Sequence, residues 1–450
     1  MSAPDQPQEL LMKKSARETA ADILVAVDKN GAYSSVMLTE ELRRLNIADE
    51  RDKRLIVSLV YSVTEHRLTV DSCLAEFLTK PMSKLPPFVS ALLRIGAAQL
   101  LYFDKIPASA AVNESVKIAK KRGFSYASGM INAVLRKVEN ISSEKRKKSE
   151  DMSLAEKYSF PEELVSLFVE QYGSEKTEDF FKAFEGRRPV YIRVNTLLTD
   201  TAALKKQLEN EGVKVSATEL EGCLSIENFG DMTSLDSFKN GLFYVQDMSS
   251  QLCSLILDAQ PGETVIDCCA APGGKSFTTA LLMKNTGTLI SCDIHPHKTE
   301  LIEKTAKRLG ITCIKTVCAD AALLPDSLNG ADRVLCDVPC SGFGVIGRKP
   351  EIKYKPLEEI AALPEIQRSI LERGAALVRK GGRLVYSTCT LNNAENNGVC
   401  KDFLRSHPDF TVKGNDIYMN AAREDGFVTV FPSEKGGDGF FVASFERKTD

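Results

Sequence analysis

Three short stretches hold the residue types that could do chemistry, and each closes a run of strand formers. Residues 264–276, Thr-Val-Ile-Asp-Cys-Cys-Ala-Ala-Pro-Gly-Gly-Lys-Ser, read as a buried strand running into a tight glycine-rich loop and then a helix. Val265 and Ile266 are strand formers, Asp267 ends the strand, and Gly273 with Gly274 lets the backbone turn and approach a ligand closely. The helix from Ser276 points its amide donors at whatever binds there. Residues 333–342, Arg-Val-Leu-Cys-Asp-Val-Pro-Cys-Ser-Gly, and 383–390, Arg-Leu-Val-Tyr-Ser-Thr-Cys-Thr, repeat the pattern of a strand ending in a reactive group. They carry Asp337, Cys340 and Cys389.

Two nucleotide-binding readings of the glycine loop fail on spacing. Gly274-Lys275-Ser276 imitates the end of a Walker loop, but that loop requires glycine where this chain has Cys269. The dinucleotide fingerprint G-x-G-x-x-G is also absent. An ordinary strand-to-helix turn would account for the loop if it stood alone. Three motifs in order at successive strand ends are far more specific than any one of them.

In these residues the chain resembles the S-adenosylmethionine-dependent RNA cytosine-C5 methyltransferases. The matching stretches are 269–275 (Cys-Ala-Ala-Pro-Gly-Gly-Lys), 337–342 (Asp-Val-Pro-Cys-Ser-Gly) and 387–389 (Ser-Thr-Cys). Residues 15–17, Pro107 with 110–114, and 129–136 look like the N-terminal domain of bacterial small-subunit rRNA methyltransferases of the RsmB (Sun) type. That domain resembles NusB, a helical RNA binder. The resemblance implies three domains in a multi-domain α and α/β chain. They are an all-α NusB-like RNA-binding domain over 1–142, a small α/β RNA-contacting subdomain over 150–235, and a Rossmann-like methyltransferase domain over 240–450.

The implied cofactor is S-adenosylmethionine, which needs a backbone loop against its amino-acid part, a carboxylate for its ribose and a polar edge for its adenine. Cys269, Ala270, Ala271, Pro272, Gly273, Gly274 and Lys275 supply the loop. Asp293 ends the next strand about 20 residues beyond the glycines, where an acid conventionally meets a ribose. Asp320 is placed to meet the adenine amino group, and Asp337 completes the set. Acids also end strands merely to form turns, but the fold puts Asp293 and Asp320 on one rim.

Carbon 5 of cytosine is a poor nucleophile, and a thiolate added at C6 moves electron density onto it. The resemblance assigns that attack to the cysteine of Thr-Cys, Cys389. Cys340 would then help eliminate the adduct. Asp337 would bond the N3 and N4 edge of the base, and Lys275 would orient the base or the aspartate. Cys268 alternates toward the sheet and reads as core. The target base must be unstacked, so a loop or flipped nucleotide of RNA is the expected substrate, 16S rRNA first. Phe343, Arg348 and Lys353, in the loop after Cys340, are further candidates for RNA contact.

The elements that must position these groups follow from pattern. Residues 16–138 show apolar side chains at three- and four-residue steps, as in Ala20, Ile23, Leu24 and Val27, and are helical throughout. Asp49 opens a helix through Leu55, Leu59 and Val63, and the break at 84–87 precedes the next. Asn132 and Arg136 read equally as helix packing or as RNA contacts. Residues 141–151, rich in Ser, Glu and Lys, have linker composition.

Past that point, 161–172 is an amphipathic helix, 190–194 a strand and 201–211 a helix, with strand candidates at 213–220 and 223–226. Arg193-Val-Asn195 matches the family's usual sequence there. Tryptophan is absent from the chain, including after Pro161 where many relatives have one, which argues against a stacking role at that position. From 264 onward strands and helices alternate, predicting a mostly parallel sheet covered on both faces. Residues 436–443, Gly-Gly-Asp-Gly-Phe-Phe-Val-Ala, supply the closing strand, with Gly437 where many relatives have threonine.

Composition sets the outer bounds. At 450 residues the length prior gives two or three domains, and 43% hydrophobic with 26% charged residues is ordinary for a globular protein. No apolar run approaches the about 20 residues that span a bilayer, and residues 1–14 lack the apolar core of a signal peptide, so a cytoplasmic location is expected. The 12 cysteines are expected reduced, and four histidines without zinc-finger spacing argue against a structural metal.

The net charge of -3 gives no global attraction to nucleic acid. Residues 1–150 nevertheless carry 24 Lys and Arg against 18 Asp and Glu, a surplus of 6, which leaves the remainder at -9. Basic runs at 117–122 and 145–148 could meet phosphates, although such runs are more often solvated helix faces. A monomer is expected. Two alternatives stay open: the same chemistry on tRNA, and a non-catalytic RNA-binding assembly factor. The presence of Asp337, Cys340 and Cys389 speaks against the latter.

Overall fold

A computed structural model describes residues 14–30, 34–45, 47, 49–145, 152–186, 188–414, 421–433 and 436–449. It divides into two compact units, Met1–Ser166 with Lys349–Tyr354, and Leu167–Arg348 with Lys355–Asp450.

The first unit is all helical, as its periodicity predicts. Helix Pro87–Tyr102 is buried nearly all round, from Phe88 to Leu101, and so forms the axis of the bundle rather than a two-faced surface helix. Helices Ala16–Asn30, Glu50–Glu65, Ala108–Lys121 and Ser128–Lys145 lie against it. At the expected start near Asp49, that side chain accepts from the Arg51 amide at 2.7 Å and caps the helix. The linker expected from 141 begins later, because the last long helix runs to Lys145; the rest of that stretch, most of the basic run at 145–148 and the N-terminal 13 residues lie outside the described residues.

The second unit holds two sheets. The smaller, wholly antiparallel, joins β1 (Val190–Val194), β2 (Lys214–Ala217), β3 (Cys223–Glu227) and β4 (Phe243–Val245) in the order β2-β3-β1-β4. Arg193 and Asn195 are buried within it: Arg193 donates to the Glu221 carbonyl at 2.6 Å, and the Asn195 amide reaches the carbonyls of Gly241 and Leu309 at 2.8 Å each. Both side chains serve packing.

The larger sheet comprises β5 (Thr264–Asp267), β6 (Thr288–Asp293), β7 (Ile314–Cys318), β8 (Ala331–Asp337), β9 (Val378–Thr388), β10 (Phe410–Val412), β11 (Ala421–Glu424), β12 (Phe427–Val430) and β13 (Phe440–Arg447). Its order is β11-β12-β13-β9-β8-β5-β6-β7, with β10 beside β13. Strands β5 to β9 pair in parallel, with helices Gly274–Leu282, Pro296–Leu309 and Leu363–Leu377 on the crossovers.

The chain steps outward from β5 to β7 and returns on the other side of β5 to lay down β8 and β9. The order therefore reverses between β5 and β8, and such a reversal opens a crevice beyond the carboxyl ends of the strands. The end of the sheet differs from the expected single closing strand. β13 is internal, antiparallel to both β9 and β12, and β10 to β12 add an antiparallel flap that the sequence pattern did not reveal. Among the described residues no helix is long and apolar enough to cross a membrane.

Candidate active site

The reversal point gathers the three motifs. β5 ends in Asp267, and the chain then crosses the sheet end: the Cys268 amide donates to the Leu335 carbonyl of β8 at 2.9 Å and the Ala270 amide to Cys292 of β6 at 2.7 Å. A tight turn follows, with Gly273 donating to the Ala270 carbonyl at 2.7 Å and adopting a φ of 104°, a conformation glycine reaches without strain. Helix Gly274–Leu282 begins immediately, so its first amides face the crevice. Cys268, Cys292 and Cys336 are buried in the core.

Lys275, in the first turn of that helix, donates to Asp337 Oδ2 at 2.7 Å across the crevice. The second oxygen of Asp337 accepts from the Ser387 hydroxyl, also at 2.7 Å, because β8 and β9 run in parallel register with these two residues opposed. Burial opposes the charge on Lys275, yet Asp337 beside it holds the ammonium's pKa above its ordinary value.

Cys340 and Cys389 follow the ends of the same two strands, and their Sγ atoms are 3.2 Å apart. That separation exceeds the roughly 2.05 Å of a disulfide, and neither cysteine is disulfide-bonded. The hydrogen bond to Cys389, then burial, pushes the Cys340 thiol well above its usual range.

The loops carrying these thiols are fastened at several points. The Val338 amide meets the Ser387 carbonyl at 3.1 Å, the Ser341 hydroxyl meets Thr390 at 2.6 Å, and the Gly344 amide meets the Cys389 carbonyl at 2.9 Å. Glu395, fully buried, gathers the Ser341 amide and Gln367 Nε2 at 2.9 Å each and the Asn392 amide at 3.1 Å. Sequence reasoning missed Ser387's bond, Glu395 and Gln367. The only local signal was the polar run 392–397, which has no apolar period to explain it.

On the opposite arm, Asp293 ends β6 and Asp320 follows β7, side by side because Asp293 pairs with Cys318 and its carbonyl accepts the Ala319 amide at 3.1 Å. Asp293 is mostly buried and accepts from the His295 amide; Asp320 is exposed and accepts from Ala322. The two acids share one rim, and each also performs the turn-forming role.

These residues fit S-adenosylmethionine. The fit rests on a buried Asp267 oxygen without a hydrogen-bond partner, the amides at the head of helix Gly274–Leu282, and two rim carboxylates suited to a cationic ligand with a diol. Among the described residues no group of His, Cys, Asp and Glu could hold a metal ion.

Three expected RNA contacts are corrected. Phe343 is fully buried, edge-on to Phe168 at 5.7 Å between ring centres. Arg348 is committed to Asp438 at 2.6 Å and Asp247 at 2.9 Å. Lys353 is 2% exposed, donates to the Glu65 carbonyl at 2.6 Å and lies 4.4 Å from the centre of the Phe160 ring. Asn132 and Arg136 are exposed on helix Ser128–Lys145, as are Lys117 and Lys120 on helix Ala108–Lys121, which excludes core packing as the role of these side chains, whereas Lys121 is tied to the buried Glu18 at 2.8 Å.

Comparison with known proteins agrees with this geometry. A family model described as 16S rRNA methyltransferase RsmB/F matches residues 254–446, a NusB family model matches 14–140, and a model of the RsmF/B-like ferredoxin-like domain matches 160–233. The probable ribosomal RNA small subunit methyltransferase B of Bacillus subtilis is 38% identical over 449 residues, covering 97% of this chain and all of the relative. The crystal structure of PH0851 superposes with a TM-score of 0.82 at 27% identity, covering 97% of this chain and 100% of that one. NSun6 from Pyrococcus horikoshii, solved with SFG, gives 0.59 at 25% identity, covering 65% of this chain and 99% of that one. The helical unit is thus NusB-like, the small sheet ferredoxin-like, and the large sheet that of a Rossmann-like methyltransferase.

Proposed function

The chain belongs to the RsmB/F family of 16S rRNA methyltransferases, and on that premise we propose that it methylates C5 of a cytosine in small-subunit ribosomal RNA through a covalent adduct with Cys389. S-adenosylmethionine, held by residues 269–275 with Asp293 and Asp320, supplies an electrophilic methyl group on a sulfonium. Asp337 engages the N4 edge of the base as acceptor, and Lys275, hydrogen-bonded to it, orients that carboxylate.

Cys389, its proton given up to solvent, adds through sulfur to C6, forming an S–C6 bond and placing an electron pair at C5; C5 would then take the methyl group, whose bond to the donor sulfur breaks with its electron pair left on that sulfur. Cys340, its own proton given up to solvent, then takes the C5 proton as a thiolate; the C5–H pair re-forms the C5=C6 bond, and the Cys389 sulfur leaves as thiolate. The observation that carries this reading is the 3.2 Å pairing of the Cys340 and Cys389 sulfurs, which puts a second sulfur beside the one that attacks. The hydrogen bond to Cys389 and burial both raise the Cys340 thiol, and bonding the Cys389 sulfur to C6 removes the first of them at the step that needs a base.

RNA binding by the helical unit is supported by its NusB-like fold and by the exposed Lys117, Lys120 and Arg136. The test is methyl transfer from labelled S-adenosylmethionine to naked 16S rRNA and to total tRNA, followed by bisulfite mapping. Label at one rRNA cytosine supports the proposal. Label on tRNA alone moves the substrate, and label on neither overturns the enzyme.

A further inference from the structure

Four charged side chains stand together beside the candidate active site. Arg348 bridges Asp438 Oδ2 at 2.6 Å and Asp247 Oδ2 at 2.9 Å, and Arg188 meets the other oxygen of Asp438 at 3.2 Å. Asp438 is 4% exposed. Its backbone is held as well: the Asp438 amide donates to Asp247 Oδ1 at 3.0 Å, and its carbonyl accepts from Ser249 at 2.8 Å. A cluster this deeply placed costs desolvation that ordinary packing would avoid, so its location matters more than its count of ion pairs.

Its location is one residue from the thiols' own support. Gly439, next to Asp438, donates to the Gly344 carbonyl at 2.8 Å, and Gly344 donates to the Cys389 carbonyl at 2.9 Å. Three backbones are therefore stacked: the turn before β13, the loop after Cys340 and the turn at Cys389. No side chain fits between them. A methyl group at Gly344 would overlap the Gly439 carbonyl and come within 2.8 Å of the Cys389 carbonyl, and one at Gly439 would approach Gly344 Cα to 2.8 Å. At Gly437 it would strike the Ser249 hydroxyl, so the glycine at this departure from many relatives leaves the Ser249 bond to Asp438 undisturbed. Arg348 lies four residues beyond Gly344 on the Cys340 loop, so its two-pronged grip closes this stack at the end away from the thiols.

We propose that Arg348, bridging Asp438 and Asp247, is a positioning residue that sets the spacing between Cys340 and Cys389. This rests on the reading of those thiols as nucleophile and base, and its consequence falls on the release step, which needs both at once.

The test uses dibromobimane, which becomes fluorescent when its two arms join neighbouring thiols, on the full chain carrying Cys318→Ser to remove the exposed cysteine. Cys340→Ala and Cys389→Ala in that background supply the zero. Arg348→Ala and Asp438→Asn are expected to slow cross-linking about tenfold. They are also expected to lower kcat by a similar factor, leave KM for S-adenosylmethionine within about twofold, and accumulate the covalent RNA adduct.

Arg348→Lys keeps a cation between the acids but loses the second prong, and it decides the matter if the alanine variant does not fold. Cross-linking and kcat both within about twofold of the parent in a folded variant overturn the proposal. So does a parent protein whose thiols do not cross-link. Normal cross-linking with no methyl transfer to any RNA instead defeats the proposed function alone, because the spacing is read without turnover.

Discussion

Cys340 Sγ lies 3.2 Å from Cys389 Sγ, and the two follow the ends of neighbouring parallel strands whose last paired residues are Asp337 and Ser387. The proximity is a product of register: strand pairing brings two segments 49 residues apart into one thiol pair. Under the proposed assignment Cys389→Ala forms no covalent RNA adduct and loses at least about 10³-fold in methyl transfer. Cys340→Ala makes the adduct and fails to release it. Denaturing electrophoresis with 16S rRNA reads both outcomes, and an adduct from Cys389→Ala reverses the assignment.

Lys275 and Asp337 come from different motifs and meet at 2.7 Å, with side chains 13% and 24% exposed. Lys275→Met removes the ammonium and leaves one Asp337 oxygen without its donor. Because the pair stands partly in solvent, the stability loss is expected at about 1–2 kcal/mol, while kcat falls by about 10² as the carboxylate loses its orientation. Thermal unfolding and steady-state kinetics on the same preparation separate the two effects. A stability loss without a kinetic one makes the pair structural.

Asp267 is 1% exposed, and burial, opposed by the Ser276 hydrogen bond, pushes its carboxyl up to about 7. The sign follows from linkage. A carboxyl whose folded pKa exceeds its unfolded value binds its proton more tightly in the native state, so its contribution is full below the unfolded value and is lost as pH rises to the folded one. Stability should therefore fall between about pH 4 and pH 7 by up to a few kcal/mol from this group. Asp267→Asn, which cannot ionise, should flatten that slope. Urea midpoints measured across the window decide it, and an unchanged slope in the variant refutes the assignment.

The strand ends were legible in the sequence because parallel strands buried on both faces read as short apolar runs, and a run such as Val265-Ile266 stops where a polar group begins. Asp337, Cys340, Cys389 and Lys275 could be named for that reason. Glu395 could not: its partners Ser341 and Gln367 lie 54 and 28 residues away, and no local period marks a buried acid. Phe343 and Arg348 misled because adjacency to a motif says nothing of exposure, which the aromatic cluster around Phe168 and the paired acids decide. The flap of β10 to β12 escaped because its strands are only 3 to 4 residues long.

Glu395 gives a prediction that its absence from the motifs makes more useful. Glu395→Ala strips three buried donors, on Ser341, Gln367 and Asn392, of their acceptor. A loss of at least about 2 kcal/mol is expected, since each buried donor left unsatisfied costs about 1–3 kcal/mol. Glu395→Gln keeps the shape but turns one acceptor into a donor facing the Ser341 amide or the Asn392 amide, so it should recover only part of the loss. Full recovery by glutamine, measured by chemical denaturation, would show that volume rather than acceptance holds the loop.

Lys353 separates two accounts of a basic side chain. As an RNA contact it would weaken binding when removed, with a shallower salt dependence and unchanged stability. In the helical unit it is buried instead, its ammonium on the Glu65 carbonyl at 2.6 Å and the Tyr158 carbonyl at 3.5 Å, over the Phe160 ring. Beside it the Tyr354 hydroxyl donates to the Thr64 carbonyl at 2.9 Å, so two consecutive residues cover the end of helix Glu50–Glu65. Lys353→Met should therefore cost about 2–3 kcal/mol through the orphaned helix-end carbonyl and the lost cation–π contact. At a temperature where the variant is folded, its affinity for 16S rRNA and the salt slope of binding should match the parent's. A reduced slope with undiminished stability would return Lys353 to the RNA surface.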